Sequence, residues 1–185
     1  MASSLRTVSL LRQGPRLVRA TQFTSRIPNM TTARHLNTAT APVLYSVHAR
    51  AVGARTGHVE GDDLNVDLTM AKALGGKGEK GKTNPEELFA AGYAACFQSS
   101  MNASAASMGI KMPGKKEDSI VAATVYLVGD MKELDMGLRV DMKVRVNGLD
   151  RAELEKIVAK AEEVCPYSRA TRGNVDTKIE IVDDI

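Results

Sequence analysis

At 185 residues the chain has room for one domain with a sizeable core plus an appendage. Its formal charge of +3 is unevenly spread: residues 1–41 hold six arginines, no lysine and no acidic residue, and without them 19 basic residues face 22 acidic ones. The remainder has no basic-aromatic surface, which argues against nucleic-acid binding, and two cysteines 69 residues apart are too few for a secreted disulfide framework.

Residues 1–41 also carry eleven Ser or Thr, and the first carboxylate of the chain is Glu60. Leu5, Val8 and Leu11 against Arg6, Arg12 and Arg16 give a short helix apolar and basic faces. That composition reads as a mitochondrial transit peptide, which leaves a domain of residues 42–185 addressed to the matrix. A disordered basic arm that binds nucleic acid is the alternative.

Val43–Val47 reads as a first strand and Gly53–Gly57 as a turn. Leu64, Val66 and Leu68 alternate with polar residues, as a half-buried strand does. A Gly- and Lys-rich loop over 75–82 then leads to the stretch around which the chain is organised. Asn84 is placed to cap a helix, Pro85 to open it, and Glu87 to close a capping box. From Leu88 to Ile110 no residue is charged, so the helix has no solvated face and reads as buried and central. A membrane span needs ~20 mostly apolar residues; here Gln98, Asn102 and several serines interrupt the run, so no span is expected.

Ile120–Val128 reads as an apolar strand, hairpinned through 129–137 to a second in which Leu138, Val140, Met142, Val144 and Val146 form the buried face. Asp150 and Glu153 cap a helix whose core stripe is Leu154, Ile157, Val158, Ala161 and Val164. Cys165 returns to nearly that face, Pro166 stops the helix, and Val175, Thr177, Ile179 and Ile181 close the chain as a strand. Strands, a long helix, a hairpin, a helix and a strand make an α+β fold.

Two motifs mislead. Residues 76–83 fit the Walker A pattern, but no buried strand precedes them and the helix signals start later, at Asn84-Pro85. Cys165-Pro166-Tyr167-Ser168 resembles a glutaredoxin site with one cysteine lost, yet it ends a helix near the end of the chain. What remains is Cys96 within the central helix and Cys165, both aimed at the core. A thiol in an apolar site is a poor nucleophile unless a cation stabilises its thiolate. Arg55, in its Gly-flanked turn, is the candidate cation, and Glu86 a candidate to hold it by a forked ion pair. Ordinary packing of two small hydrophobes is the competing account.

Leu74-Gly75-Gly76, the run from Thr83-Asn84-Pro85-Glu86 to Cys96-Phe97, and the run from Val164-Cys165-Pro166 to Gly173-Asn174 resemble the organic hydroperoxide resistance proteins of the OsmC/Ohr family. The resemblance spans about Leu44 to Ile181; Tyr93 and the long tail after Cys165 resemble the hydroperoxide branch rather than the osmotically inducible one. It implies antiparallel sheets wrapped around a central helix in an intertwined homodimer. It further implies a thiol peroxidase without metal, haem or flavin, acting on organic hydroperoxides. Cys96 is then the peroxidatic cysteine, Cys165 the resolving one, Arg55 the catalytic arginine and Glu86 its partner. Dihydrolipoamide or a lipoylated protein is the implied reductant. Ala54 stands where a second glycine is common, and the leader is foreign to the bacterial members, implying a eukaryotic, mitochondrial copy. Phe89, Phe97 and Met101 are expected to line the peroxide pocket or, equally, to pack in the core. A Cys96-dependent acyl transferase or thioesterase and a non-catalytic lipid-binding domain are the other classes. The former needs a base, and the three histidines, His35, His48 and His58, all lie far from either cysteine in sequence.

Overall fold

A computed structural model of the chain describes residues 36–185, so the expected leader lies outside the described residues but for its last few. Every element and both cysteines fall in one compact unit, Tyr45–Ile185.

The unit opens with a small antiparallel sheet of β1 (Ala49–Val52), β2 (His58–Gly61) and β3 (Asn65–Asp67). The first strand therefore lies beyond the expected Val43–Val47. That segment has the right residue types, but Tyr45 and Val47 are 77% and 67% exposed, and among the described residues no strand pairs with it. β2 gave no sequence signal, because His58-Val59-Glu60-Gly61 has no apolar alternation. Past β3, Thr83 bridges to Leu68, and the Walker-like residues form an irregular loop after a 3-10 turn (Lys72–Leu74). No buried strand precedes that loop.

α1 (Pro85–Ser107) starts where its capping residues require. Asn84 Oδ1 accepts from the Glu87 N–H at 2.8 Å, and the Glu87 carboxylate takes the Thr83 hydroxyl at 2.7 Å rather than completing a capping box. One face is buried, through Tyr93, Phe97, Ser100, Met101, Ser104 and Ala105. The opposite face, with Ala91, Ala95, Ser99, Asn102 and Ala106, is exposed. The expectation of a helix buried all round therefore holds for one side of it in the single chain. The uncharged run from Leu88 to the end of α1 marks a face that avoids water without showing what covers it.

β4 (Ser119–Asp130) and β5 (Asp135–Val146) form the long hairpin, and β6 (Asp176–Ile181) joins β5 on its other side. The β5–β6 pairing is parallel, a departure from the all-antiparallel expectation. Its cause is the connection: two helices intervene, and a crossover of that kind returns the chain in the same direction. They are α2 (Arg151–Val164), capped by Asp150, and α3 (Pro166–Thr171). α1 lies against β4 and α2, and the core runs from Tyr93, Phe97 and Met101 to Val140, Met142, Val144, Leu154, Ile157 and Cys165. Val164, expected in the α2 stripe, is 36% exposed, because the chain turns out of the helix at the next residue. Among the described residues no helix is long and apolar enough to cross a membrane.

Candidate active site

The Gly53-to-Gly57 turn folds as a 3-10 turn over Ala54–Thr56, between β1 and β2. Gly57 is forced, since a Cβ there would stand 1.7 Å from the Val52 carbonyl oxygen. Ala54 adopts φ 51°, the left-handed region that favours glycine, which explains why glycine suits this position. The turn presents Arg55 to the first turn of α1. There Arg55 Nη1 and Nη2 donate to Glu86 Oε2 and Oε1 at 2.8 and 2.6 Å, the forked pair expected from sequence. The hydrogen bonds from Arg55 hold the Glu86 carboxyl below the usual carboxylate range against the opposing effect of burial. The same pairing raises the guanidinium.

Cys96 lies in the middle of α1, half-buried, and Cys165 is fully buried at the junction of α2 and α3; both are free thiols. Their sulfurs stand 3.5 Å apart, within hydrogen-bonding reach and well short of attack at a shared bond. Cys165 both ends α2 and caps α3, with Pro166 opening the second helix. Pro166, expected only to stop α2, also opens α3, as a proline at the first helical position does.

The two thiols sit in different fields. Burial, opposed by the Tyr167 N–H and assisted by the neighbouring Cys165, pushes the Cys96 thiol up. Burial also pushes Cys165 up, but the Ser168 N–H and hydroxyl, the Cys96 thiol and the Ser100 hydroxyl together outweigh it, so Cys165 sits below the ordinary cysteine range. Among the described residues no cation figures in the shift of Cys96. The Arg55–Glu86 pair is assembled within one chain.

Three aromatic residues cluster where α1 meets α3. Phe89 meets Tyr93 edge-on at 5.9 Å and stacks on Tyr167 at 6.3 Å. Gly92 makes room for this, since a Cβ there would come within 3.2 Å of the Tyr167 ring. Of the three expected pocket residues, Phe97 and Met101 are fully buried in the core, and Phe89 packs at its margin. The Tyr93 hydroxyl donates to Ser168 Oγ at 3.1 Å and lies 3.3 Å from Thr171 Oγ1. Sequence reasoning gave Ser168 and Thr171 no role. His58 pairs with Asp67 at 2.8 Å and His48 is exposed, and neither figures among the groups that perturb the two thiols.

Residues 76–180 match the profile of the family described as OsmC-like protein. The chain belongs to the OsmC-like family. It is 45% identical over 141 residues to the organic hydroperoxide resistance protein of Xanthomonas axonopodis pv. citri, covering 75% of this chain and 95% of that one. The crystal structure of an organic hydroperoxide resistance protein from Legionella pneumophila superposes with a TM-score of 0.68 at 46% identity, over 76% of this chain and 98% of that one. That of OhrB from Bacillus subtilis gives 0.64 at 39%, over 76% and 100%. These OsmC-like neighbours share its mixed helix-and-sheet architecture.

Proposed function

We propose that the protein protects against organic hydroperoxides by reducing them to alcohols with its two thiols. The observation that carries this reading is the pair of sulfurs 3.5 Å apart, one half-buried and one sealed, supplied by separate elements. The names of its relatives, organic hydroperoxide resistance proteins, support the substrate class.

In the proposed cycle the Cys96 thiolate attacks the terminal peroxide oxygen, the O–O bond breaks, the alcohol leaves and Cys96 becomes a sulfenic acid. Cys165 then attacks the Cys96 sulfur and expels water, leaving a disulfide for an external dithiol to reduce. The half-buried Cys96 is the sulfur a peroxide reaches, and Cys165 is held ready beside it. The cation that Cys96 needs is Arg55, oriented by Glu86, and we assign it to the second chain of an intertwined homodimer. The reductant is a slim dithiol of the dihydrolipoyl type, and the place of action is the mitochondrial matrix, with residues 1–41 removed on import.

Turnover of cumene hydroperoxide with dithiothreitol tests the reading, together with mass mapping of a peroxide-induced Cys96–Cys165 disulfide. Absence of that disulfide after stoichiometric peroxide would reject it. An acyl transferase or thioesterase would require a base beside Cys96, and neither described histidine supplies one.

A further inference from the structure

The loop between β3 and α1 has no part in the two-thiol chemistry, yet Lys72, Lys77, Lys80 and Lys82 crowd residues 72–82 with a single carboxylate, Glu79. Lys82 takes that carboxylate at 3.2 Å. Lys72, Lys77 and Lys80 are exposed and, among the described residues, enter no ion pair. Beyond residue 41 the chain carries 19 basic and 22 acidic residues, so this patch is positive against an acidic background.

The backbone ties the loop down. The Gly76 and Gly78 N–H groups donate to the Ala71 and Met70 carbonyls, both at 3.0 Å, and the Glu79 N–H donates to Oγ1 of the buried Thr69 at 3.0 Å. A Cβ at Gly76 would stand 2.1 Å from the Met70 carbonyl oxygen, so only glycine lets the loop close this tightly. A Cβ at Gly78 would meet the Lys72 stem at 2.8 Å, so that stem lies across the loop. With these amides engaged inside the chain, the Walker-like residues form no nest of N–H groups around a phosphate. What the loop offers a partner is side-chain charge spread along a rim.

The base of the loop is joined to the arginine end of the site. The Leu68 N–H donates to the Gly57 carbonyl at 2.8 Å, where the Arg55 turn ends, and the Thr69 N–H donates to the Thr83 carbonyl at 2.8 Å. Three residues beyond Thr83, Glu86 holds Arg55. The lysine rim and the Arg55–Glu86 fork therefore share one frame.

We propose that this lysine loop is the docking surface for an acidic protein domain that delivers the reductant dithiol; the proposal rests on the two-cysteine reading above. That reading leaves a disulfide half-buried at Cys96 and sealed at Cys165, which a dithiol on a slim arm reaches from a carrier seated nearby. Attraction between the lysines and an acidic face speeds the encounter and sets its orientation. Lysines spread along a loop match a surface with several carboxylates rather than one small anion. No large apolar side chain of the loop is exposed, so it has nothing to insert into a lipid surface.

In the step so served, one thiolate of the carrier attacks the Cys96 sulfur, the S–S bond breaks and Cys165 leaves as a thiolate. The second carrier thiol attacks the mixed disulfide, closes a cyclic disulfide on the carrier and releases Cys96. The carrier gives up two electrons and two protons, and the two cysteines take them up as thiols.

The test uses the full chain, cumene hydroperoxide and two reductants: a dihydrolipoyl group on a synthetic peptide rich in Asp and Glu, and the same group on an uncharged peptide. At an ionic strength of ~0.01 M the acidic carrier should show a kcat/KM about tenfold above the uncharged one, through KM. At ~1 M, where the screening length is ~3 Å, the two should converge. Lys72→Gln, Lys77→Gln and Lys80→Gln together should abolish the preference at low salt. Lys132→Gln, Lys156→Gln and Lys178→Gln, the same change of charge elsewhere, should keep it. The arginines of residues 1–41 are common to every variant and cancel in the comparison. Equal rates for the two carriers at low salt, a preference that survives the loop substitutions, or one that the distant substitutions also abolish overturns the docking. Retention on phosphatidylglycerol vesicles without preference between the peptides overturns it too. If no dithiol supports turnover, dithiothreitol included, the peroxidase reading fails instead. The fluorescence anisotropy of the labelled acidic peptide, with wild type and loop variant, then decides whether this surface binds acidic chains.

Discussion

Cys96 and Cys165 stand 3.5 Å apart, yet burial raises the first thiol while hydrogen bonds hold the second down. The contrast has a consequence for variants. Burial is the largest influence on Cys96, but Cys165 also raises it, by hydrogen bonding and by charge. Cys165→Ser should therefore let Cys96 ionise at lower pH than in the wild type, which the pH profile of its alkylation reads directly. The same variant should consume about one equivalent of peroxide and then stall as a sulfenic acid that drifts to sulfinic acid. Continued turnover would show that Cys165 is dispensable. At Glu86 the sign runs the other way. Its folded carboxyl is held below the unfolded value, so the Arg55 fork contributes stability above the ordinary carboxylate range and loses it as pH falls through the lowered value. Arg55 is about a third exposed, so the contribution is screened to about 1 kcal/mol. Glu86→Gln should melt earlier than the wild type at neutral pH, and the gap should close on acidification, as thermal melts at stepped pH would show.

At the scale of elements, the parts that were legible in the sequence are those whose burial leaves a period. The α2 stripe of Leu154, Ile157, Val158 and Ala161 repeats with the helix, and β5 alternates through Val140, Met142, Val144 and Val146. The Asn84-Pro85 start of α1 is readable because caps act locally. The Arg55–Glu86 pair and the meeting of the two cysteines were also in reach, because few residues of the right chemistry compete for the roles. β2 was not legible, since a four-residue strand on a small sheet needs no apolar face. Neither were the hydroxyl contacts of Tyr93, because Ser168 and Thr171 look like any polar residues until α3 turns them inward. The parallel β5–β6 pairing depends on where the chain returns after α3, which no local pattern records. Ile157 and Val164, both in the expected stripe, separate period from actual burial. Ile157, wholly buried, should cost about 2–5 kcal/mol on truncation to Ala. Val164→Ala, at a position 36% exposed, should stay within about 0.5 kcal/mol. Equal losses in urea melts would show that Val164 is covered after all.

For the whole molecule the open question is where the cation of the site comes from. Glu86 and Cys96 are ten residues apart on an unbroken α1, hence ~15 Å along its axis. Arg55 is held at the Glu86 end, and no cation figures in the shift of Cys96. Beyond its first turn, the exposed face of α1 carries only small or uncharged residues, among them Ala91, Ala95, Ser99 and Ala106, so a second backbone can approach closely. In the proposed dimer two such helices packed antiparallel would bring Glu86 of each chain toward Cys96 of the other, and a two-fold axis would make both sites alike. The exposed Tyr45, Val47 and Val52 would add apolar surface to the proposed dimer. Composite sites make a sharp demand. Arg55→Ala and Cys96→Ser should each be nearly inactive alone, one for want of the cation and the other for want of the nucleophile. Mixed, unfolded and refolded together in equal amounts, half their dimers should be mixed, each with one complete site joining the intact Cys96 of one chain to the intact Arg55 of the other. Peroxidase activity should then return to about a quarter of the wild type. If Arg55 serves Cys96 of its own chain, no mixed dimer holds a complete site and mixing restores nothing. That outcome, or an active monomer in sedimentation, would place the whole site in one chain and leave the small-residue face of α1 without this role.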